Sequence, residues 1–308
     1  MSPLAPLLVV LAGLAGLATA LYAGLGWYIA HQVLRRRTPD PRADPAGLGL
    51  DYEPVTFTSP DGLRLGGWFI PAAGGWEAAP PRGTVILCHG HAGSLDSDLK
   101  YVPAFHQHGY NILQFDFRAH GRSEGRYVSM GYYERLDLWG AVHYLQSRGV
   151  ERMGVLGFSM GGAVAISTAA KCPGLVAVVS DGGFARIRPT LMRGIEERGV
   201  PAWLGSSLAP LILLIVRWRL GCDLRAADPL KWIGQISPKP VMLIHGGRDV
   251  YVPQRDAEAL YAAAGNPKAL WIVPEAEHRR VDEARPQQYV SRVLAFFDRW
   301  LAEEEHDV

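Results

Sequence analysis

Met153-Gly154-Val155-Leu156-Gly157-Phe158-Ser159-Met160-Gly161-Gly162 is the stretch on which the reading turns. Met153–Phe158 is a short apolar run bounded by turn residues, the pattern of a buried strand. Gly161–Ala170 is small, apolar and long enough for a helix. Between them lies G-x-S-x-G. A chain that turns sharply from strand to helix at the serine lifts its hydroxyl above the sheet, and small neighbours leave room for the turn. The helix then starts beneath the serine, where its amide dipoles favour a developing negative charge. Alone the pattern is weak, because Gly and Ser are common in turns; the strand–turn–helix context gives it weight.

On either side, short apolar runs alternate with amphipathic ones. Candidate strands are Val55–Thr58, Leu63–Ile70, Thr84–Cys88, Asn111–Phe117, Met153–Phe158, Leu175–Ser180, Val241–His245 and Ala269–Val273. Candidate helices are Leu95–His108, Gly131–Gln146, Gly161–Ala170, Pro253–Ala264 and Arg285–Leu301. This alternation predicts an α/β fold with a mainly parallel sheet covered on both faces. No helix separates the first two strands, so they should pair antiparallel at one edge.

A serine needs a base to act as a nucleophile at neutral pH. Three histidines follow Ser159: His245, within a candidate strand; His278, just after the last strand; and His306, near the end of the sequence. Two further motifs follow strand ends, His89-Gly90-His91-Ala92-Gly93-Ser94 and Arg118-Ala119-His120-Gly121-Arg122-Ser123. Together with the G-x-S-x-G turn they resemble the serine α/β-hydrolases of the lipase/esterase and serine aminopeptidase kind, over about residues 51–303. The family's usual Arg-Gly-x-Gly-x-Ser has Ala119 here in place of its first glycine.

The resemblance implies an eight-stranded sheet and a catalytic triad in the chain order serine, acid, histidine. It assigns Ser159 as nucleophile, His278 as base and Asp249, in the turn after the next-to-last strand, as acid. Asp181, at another strand end, is the rival acid, and Asp256 reads as a surface charge on a helix. The oxyanion donors it implies are the backbone N–H groups of Met160 and His91. His89 and His91 also form an H-x-H pair, but with no carboxylate or further His close by in sequence a metal site is not expected, and the chemistry needs no cofactor. A serine at the turn argues against the aspartate-nucleophile branches.

Charge divides the chain. All 31 basic and 30 acidic side chains fall at or after Arg35. The near-neutral balance speaks against a nucleic-acid binder, and three scattered cysteines (Cys88, Cys172, Cys222) make no disulfide framework. Leu4–Ala30 is uncharged and long enough to cross a bilayer core of about 30 Å. Residues 1–34 therefore read as a transmembrane anchor, 35–50 as a linker and 304–308 as a tail. Ala18-Thr19-Ala20 resembles a signal-peptide cleavage site, but no basic residue precedes the apolar run and the run continues past it. Arg35-Arg36-Arg37 places the catalytic domain on the cytoplasmic face of a single-pass protein. Ala12, Gly16, Ala20 and Gly24 could form a homodimer seam, although Ala/Gly richness is the plainer explanation.

Residues 182–236 fit no strand and read as a lid. Gly199–Val216 is a second uncharged stretch, but a second crossing would separate Ser159 from Asp249 and His278. Pro201, Gly205, Ser206, Ser207 and Pro210 should also interrupt it, leaving Leu208–Val216 as a lid helix. The lid carries eight basic against four acidic residues, which fits contact with anionic headgroups. The expected function is hydrolysis of an ester or thioester, of a small-molecule or lipid-like acyl substrate. The alternatives are a peptidase of the same fold and an inactive hydrolase-like binding module.

Overall fold

The structure is a computed structural model that describes residues 4–37, 43–74 and 81–301. Part of the expected linker, the expected tail and His306 lie outside the described residues. Eight strands form one sheet: β1 Glu53–Thr58, β2 Arg64–Ile70, β3 Gly83–Cys88, β4 Tyr110–Phe115, β5 Met153–Phe158, β6 Leu175–Asp181, β7 Val241–Gly246 and β8 Lys268–Val273. Their spatial order is β1-β2-β4-β3-β5-β6-β7-β8. The β1–β2 and β2–β4 pairs are antiparallel and the rest parallel. This is the α/β-hydrolase fold, with the expected antiparallel edge.

The helices are α1 Leu4–Leu34, α2 Val102–Gln107, α3 Glu134–Ser147, α4 Met160–Ala169, α5 Ile187–Glu196, α6 Ala202–Leu220, α7 Gln254–Ala263, α8 Val281–Ala284 and α9 Pro286–Leu301. Side chains alternate across each strand, so the central strands feed two cores. Ile86, Leu113, Val155 and Val178 join one core with Leu208 of α6 and Ile29 and Leu34 of α1. Val85, Leu87, Leu156 and Val179 join the other with Tyr289, Val293 and Phe297 of α9. The central strand β5 is buried at every position.

Two helix expectations need correction. Leu95–His108 is a 3-10 stretch, Leu95–Tyr101, followed by the short α2. Pro103 lacks an N–H and its ring clashes with the carbonyl four residues back, so an α-helix restarts there and does not run through. Conversely, α6 is unbroken from Ala202 to Leu220 with Pro210 inside it. Pro201 caps it from outside, and Ser206, whose carbonyl Pro210 leaves without its helical donor, lies on the exposed side as Pro210 does. Residues 182–236 contain no strand among them.

Both α1 and α6 are long and apolar enough to cross a membrane. They pack side by side. The Tyr22 hydroxyl donates to the Ser207 carbonyl at 2.6 Å, and a Cβ on Gly26 would lie 2.8 Å from Leu211 Cδ2. The Trp27 and Trp218 rings lie 6.0 Å apart. In α1, Gly26, Ile29, Ala30 and Leu34 are buried, whereas residues 6–21 are exposed.

Candidate active site

β5 delivers Ser159 with φ 52° and ψ −112°, a conformation that a non-glycine residue holds only when its surroundings impose it. The Ser159 N–H donates to the Asp181 carbonyl at 2.8 Å. A Cβ on Gly161 would overlap the Cys88 carbonyl, and one on Gly157 would overlap the Gly161 carbonyl. Backbone touches backbone on both sides of the serine, which is why both flanking positions are glycine.

His278 follows β8, and its Nε2 lies 3.0 Å from Ser159 Oγ. Its Nδ1 lies 2.5 Å from Asp249 Oδ2. Asp249 leaves β7 through Gly246 and Gly247, where any Cβ would strike the backbone of the Pro274–Glu277 segment that carries His278. The Arg248 N–H donates to the Ala276 carbonyl at 2.8 Å. Asp249 Oδ1 accepts from the N–H groups of Tyr251 and Val252 at 2.9 and 2.8 Å. The carboxylate is thus fixed at one oxygen and faces the imidazole with the other. The structure brings Ser159, His278 and Asp249 into one hydrogen-bonded chain.

The rival groups lie elsewhere. Asp181 Oδ2 accepts from the Tyr289 hydroxyl at 2.9 Å, not from His278. Burial lifts the Asp181 carboxyl to about 6, against the pull of Arg279 and Tyr289. His245 is buried in β7 with Nε2 3.0 Å from the Val252 carbonyl, and burial lowers its pKa. Asp256 is not a surface charge: it is buried and accepts from the Ala185 N–H at 2.9 Å, pinning the start of the 182–236 segment. A charged residue in the first turn of an amphipathic helix reads as solvated, and only the long-range contact reveals otherwise.

Met160 opens α4, so its N–H is one of the first amides that a helix leaves without an internal acceptor. The loop after β3 reaches the serine as well, since a Cβ on Gly90 would lie 3.5 Å from Ser159 Cβ. His89 organises this loop. The Phe117 N–H donates to its Nε2 at 3.0 Å, so its Nδ1–H donates to the Gly90 carbonyl at 2.8 Å. Burial holds His89 well below the ordinary histidine range.

Arg279 has no signal in the sequence beyond its place next to His278. It adopts φ 56°, ion-pairs with Asp98, and lies over the Phe158 ring with its guanidinium carbon 4.5 Å from the centroid. Its Nη1 would be 3.3 Å from a Cβ on Gly90. Burial opposes its charge, yet Asp98, Tyr101 and Asp181 hold the guanidinium above its ordinary value. A fixed cation therefore sits beside the loop that meets Ser159.

The sequence family described as "Serine aminopeptidase, S33" matches residues 79–239, which span β3 to β6 and the serine turn. The chain belongs to this S33 family of α/β-hydrolases. It is a hydrolase of that fold. Relatives of this S33 chain include YqkD of Bacillus subtilis, 31% identical over 94% of this chain and 97% of that one. YfhR of Salmonella typhi is 32% identical over 74% of this chain and 75% of its own length. Among solved structures, the esterase Pf2001 of Pyrococcus furiosus is 30% identical, covering 87% of this chain and 99% of its own, with a TM-score of 0.71.

Proposed function

We propose that this protein is a membrane-anchored serine esterase or thioesterase that works through an acyl-enzyme. The observation that carries the reading is the hydrogen-bonded chain from Ser159 through His278 to Asp249. Ser159 Oγ attacks the substrate carbonyl while His278 Nε2 takes its proton. Asp249 accepts from Nδ1–H and stabilises the imidazolium. The Met160 and His91 amides hold the oxyanion, a task for which preorganised backbone donors are suited. His278 then gives its proton to the departing alcohol or thiol, and water activated by the same ring releases the acid. Arg279 adds positive potential beside the oxyanion loop.

The anchor is the exposed part of α1, residues 6–21, while Tyr22, Gly26, Ile29, Ala30 and Leu34 pack on the hydrolase domain; the domain lies on the cytoplasmic side, as Arg35–Arg37 imply. The exposed face of α6, with Trp203, Leu214 and Trp218 outward, continues the exposed surface of α1. That favours an acyl substrate taken from a bilayer. The similar Pyrococcus esterase supports ester chemistry; the description of the matched family favours a peptidase as the second reading.

Turnover of short-chain esters, long-chain esters, acyl thioesters and aminoacyl amides, with and without bilayers, separates these readings. The proposal expects ester or thioester cleavage, rising with chain length when bilayers are present, and loss of about a million-fold in Ser159→Ala. Cleavage confined to the amides would contradict it.

A further inference from the structure

The end of α1 does more than connect. The Leu34 carbonyl accepts from the Val128 N–H at 2.9 Å, and the Arg37 N–H donates to the Ala119 carbonyl at 2.8 Å. The Arg36 guanidinium donates to three carbonyls of one loop, those of Gly121, Ser123 and Gly125, at 2.9, 2.7 and 3.1 Å. Two of the three arginines that the sequence assigns to membrane topology are thus hydrogen-bonded to the hydrolase domain.

The same junction reaches His91. His91 Nε2 lies 3.1 Å from the Val33 carbonyl and 3.0 Å from Arg37 Nη2. Burial, helped by the charge of Arg37, lowers His91 to about 3, so the ring is neutral and carries one proton. With the proton on Nε2 it donates to Val33; with the proton on Nδ1 it accepts from Arg37. Either tautomer ties the ring to residues 33–37.

His91 is also held through its backbone. His120 Nε2 lies 2.9 Å from the His91 carbonyl, and His120 sits in the loop that Arg36 and Arg37 clasp. On the other side the Gly90 carbonyl is bound by His89. A trans peptide points its N–H opposite its carbonyl, so fixing the Gly90 carbonyl fixes the direction of the His91 N–H. The rest of His91, ring and carbonyl, depends on the junction.

We infer that Val33–Arg37 is a positioning element of the active site: by clasping the His91 ring and the loop carrying His120, it holds the His91 amide where the oxyanion develops. The inference rests on the oxyanion assignment proposed above. It makes docking of the N-terminal helix a condition for full turnover, because a displaced donor is lost chiefly in the transition state.

The test uses the full-length enzyme in detergent and compares Arg36→Met, His91→Ala and His91→Gln. Active sites are titrated with a fluorophosphonate, so that misfolded enzyme drops out of kcat. Removing one oxyanion donor costs about 100- to 1,000-fold, and displacing one should cost about 10- to 100-fold. Arg36→Met and His91→Ala should therefore lose that much in kcat per titrated site, with KM changed by less than about threefold. His91→Gln, whose amide can still bond to Val33 or Arg37, should recover most of the loss. A kcat per titrated site within about twofold of wild type in both Arg36→Met and His91→Ala would overturn the inference while leaving the serine mechanism standing. Turnover persisting in Ser159→Ala would instead overturn that mechanism and the inference with it.

Discussion

The serine turn and the α1–α6 helix pair are held together by different means. At the serine turn, backbone meets backbone: Gly161 lies against Cys88 and Gly157 against Gly161, and the Asp249 turn repeats this with Gly246 against Glu277. The helix pair meets through side chains, Tyr22 on Ser207, Gly26 under Leu211 and Trp27 near Trp218. A backbone contact cannot give way, whereas a leucine or tryptophan can take another rotamer. The first arrangement therefore specifies residues one by one, and the second specifies little beyond size and apolarity.

If that contrast holds, the largest effects belong to the site. His278→Ala should lower turnover about a million-fold, as loss of one member of a unit does. Asp249→Asn should cost about ten-thousand-fold, because the amide favours the wrong imidazole tautomer. Comparable steady-state rates in either variant and the wild type would break the comparison at once. Gly161→Ala should destabilise the fold by more than about 4 kcal/mol, since the added methyl overlaps a carbonyl fixed in β3. Denaturant titration measures this, and a loss under about 1 kcal/mol would mean that the turn yields as the helix pair does.

Asp181→Asn tests a buried group behind the serine. The folded carboxyl is raised to about 6 from an ordinary value of 3.8, so the native state retains a proton that the unfolded chain has released. Its contribution is full below about pH 4 and is lost as pH rises through about 6. Wild type should therefore lose up to about 3 kcal/mol relative to Asp181→Asn between those limits. Urea unfolding across that range reads the difference, and the opposite slope would refute the assignment. Smallest of all, Trp218→Ala should change stability in detergent by under about 1 kcal/mol, because the ring is largely exposed. A larger drop in melting temperature would show that the helix pair is as closely specified as the turn.

The same contrast explains what was legible in the sequence. β5 coincides residue for residue with its apolar run, and the other strands differ from theirs only at their ends. Strands buried on both faces announce themselves by composition, and glycines that admit no Cβ announce a turn. Ser159, Asp249 and His278 follow strand ends in order, so their meeting could be anticipated from the resemblance. Pro210 was misleading because a proline on a helix's exposed side leaves its orphaned carbonyl outside the core. Asp256 and Arg279 were hidden because their partners, Ala185 and Asp98, are far away in sequence. The junction at His91 was hidden for the same reason, and because arginines after an apolar helix have a ready explanation in topology.

The central claim is that Ser159 is the nucleophile of this hydrolase. Treating the full-length protein with a fluorophosphonate and locating the adduct by peptide mass mapping tests it directly. One adduct is expected, on Ser159, formed at a rate that collapses in His278→Ala and absent in Ser159→Ala. An adduct on another residue, labelling undiminished in Ser159→Ala, or no labelling of an enzyme that turns over ester would contradict it.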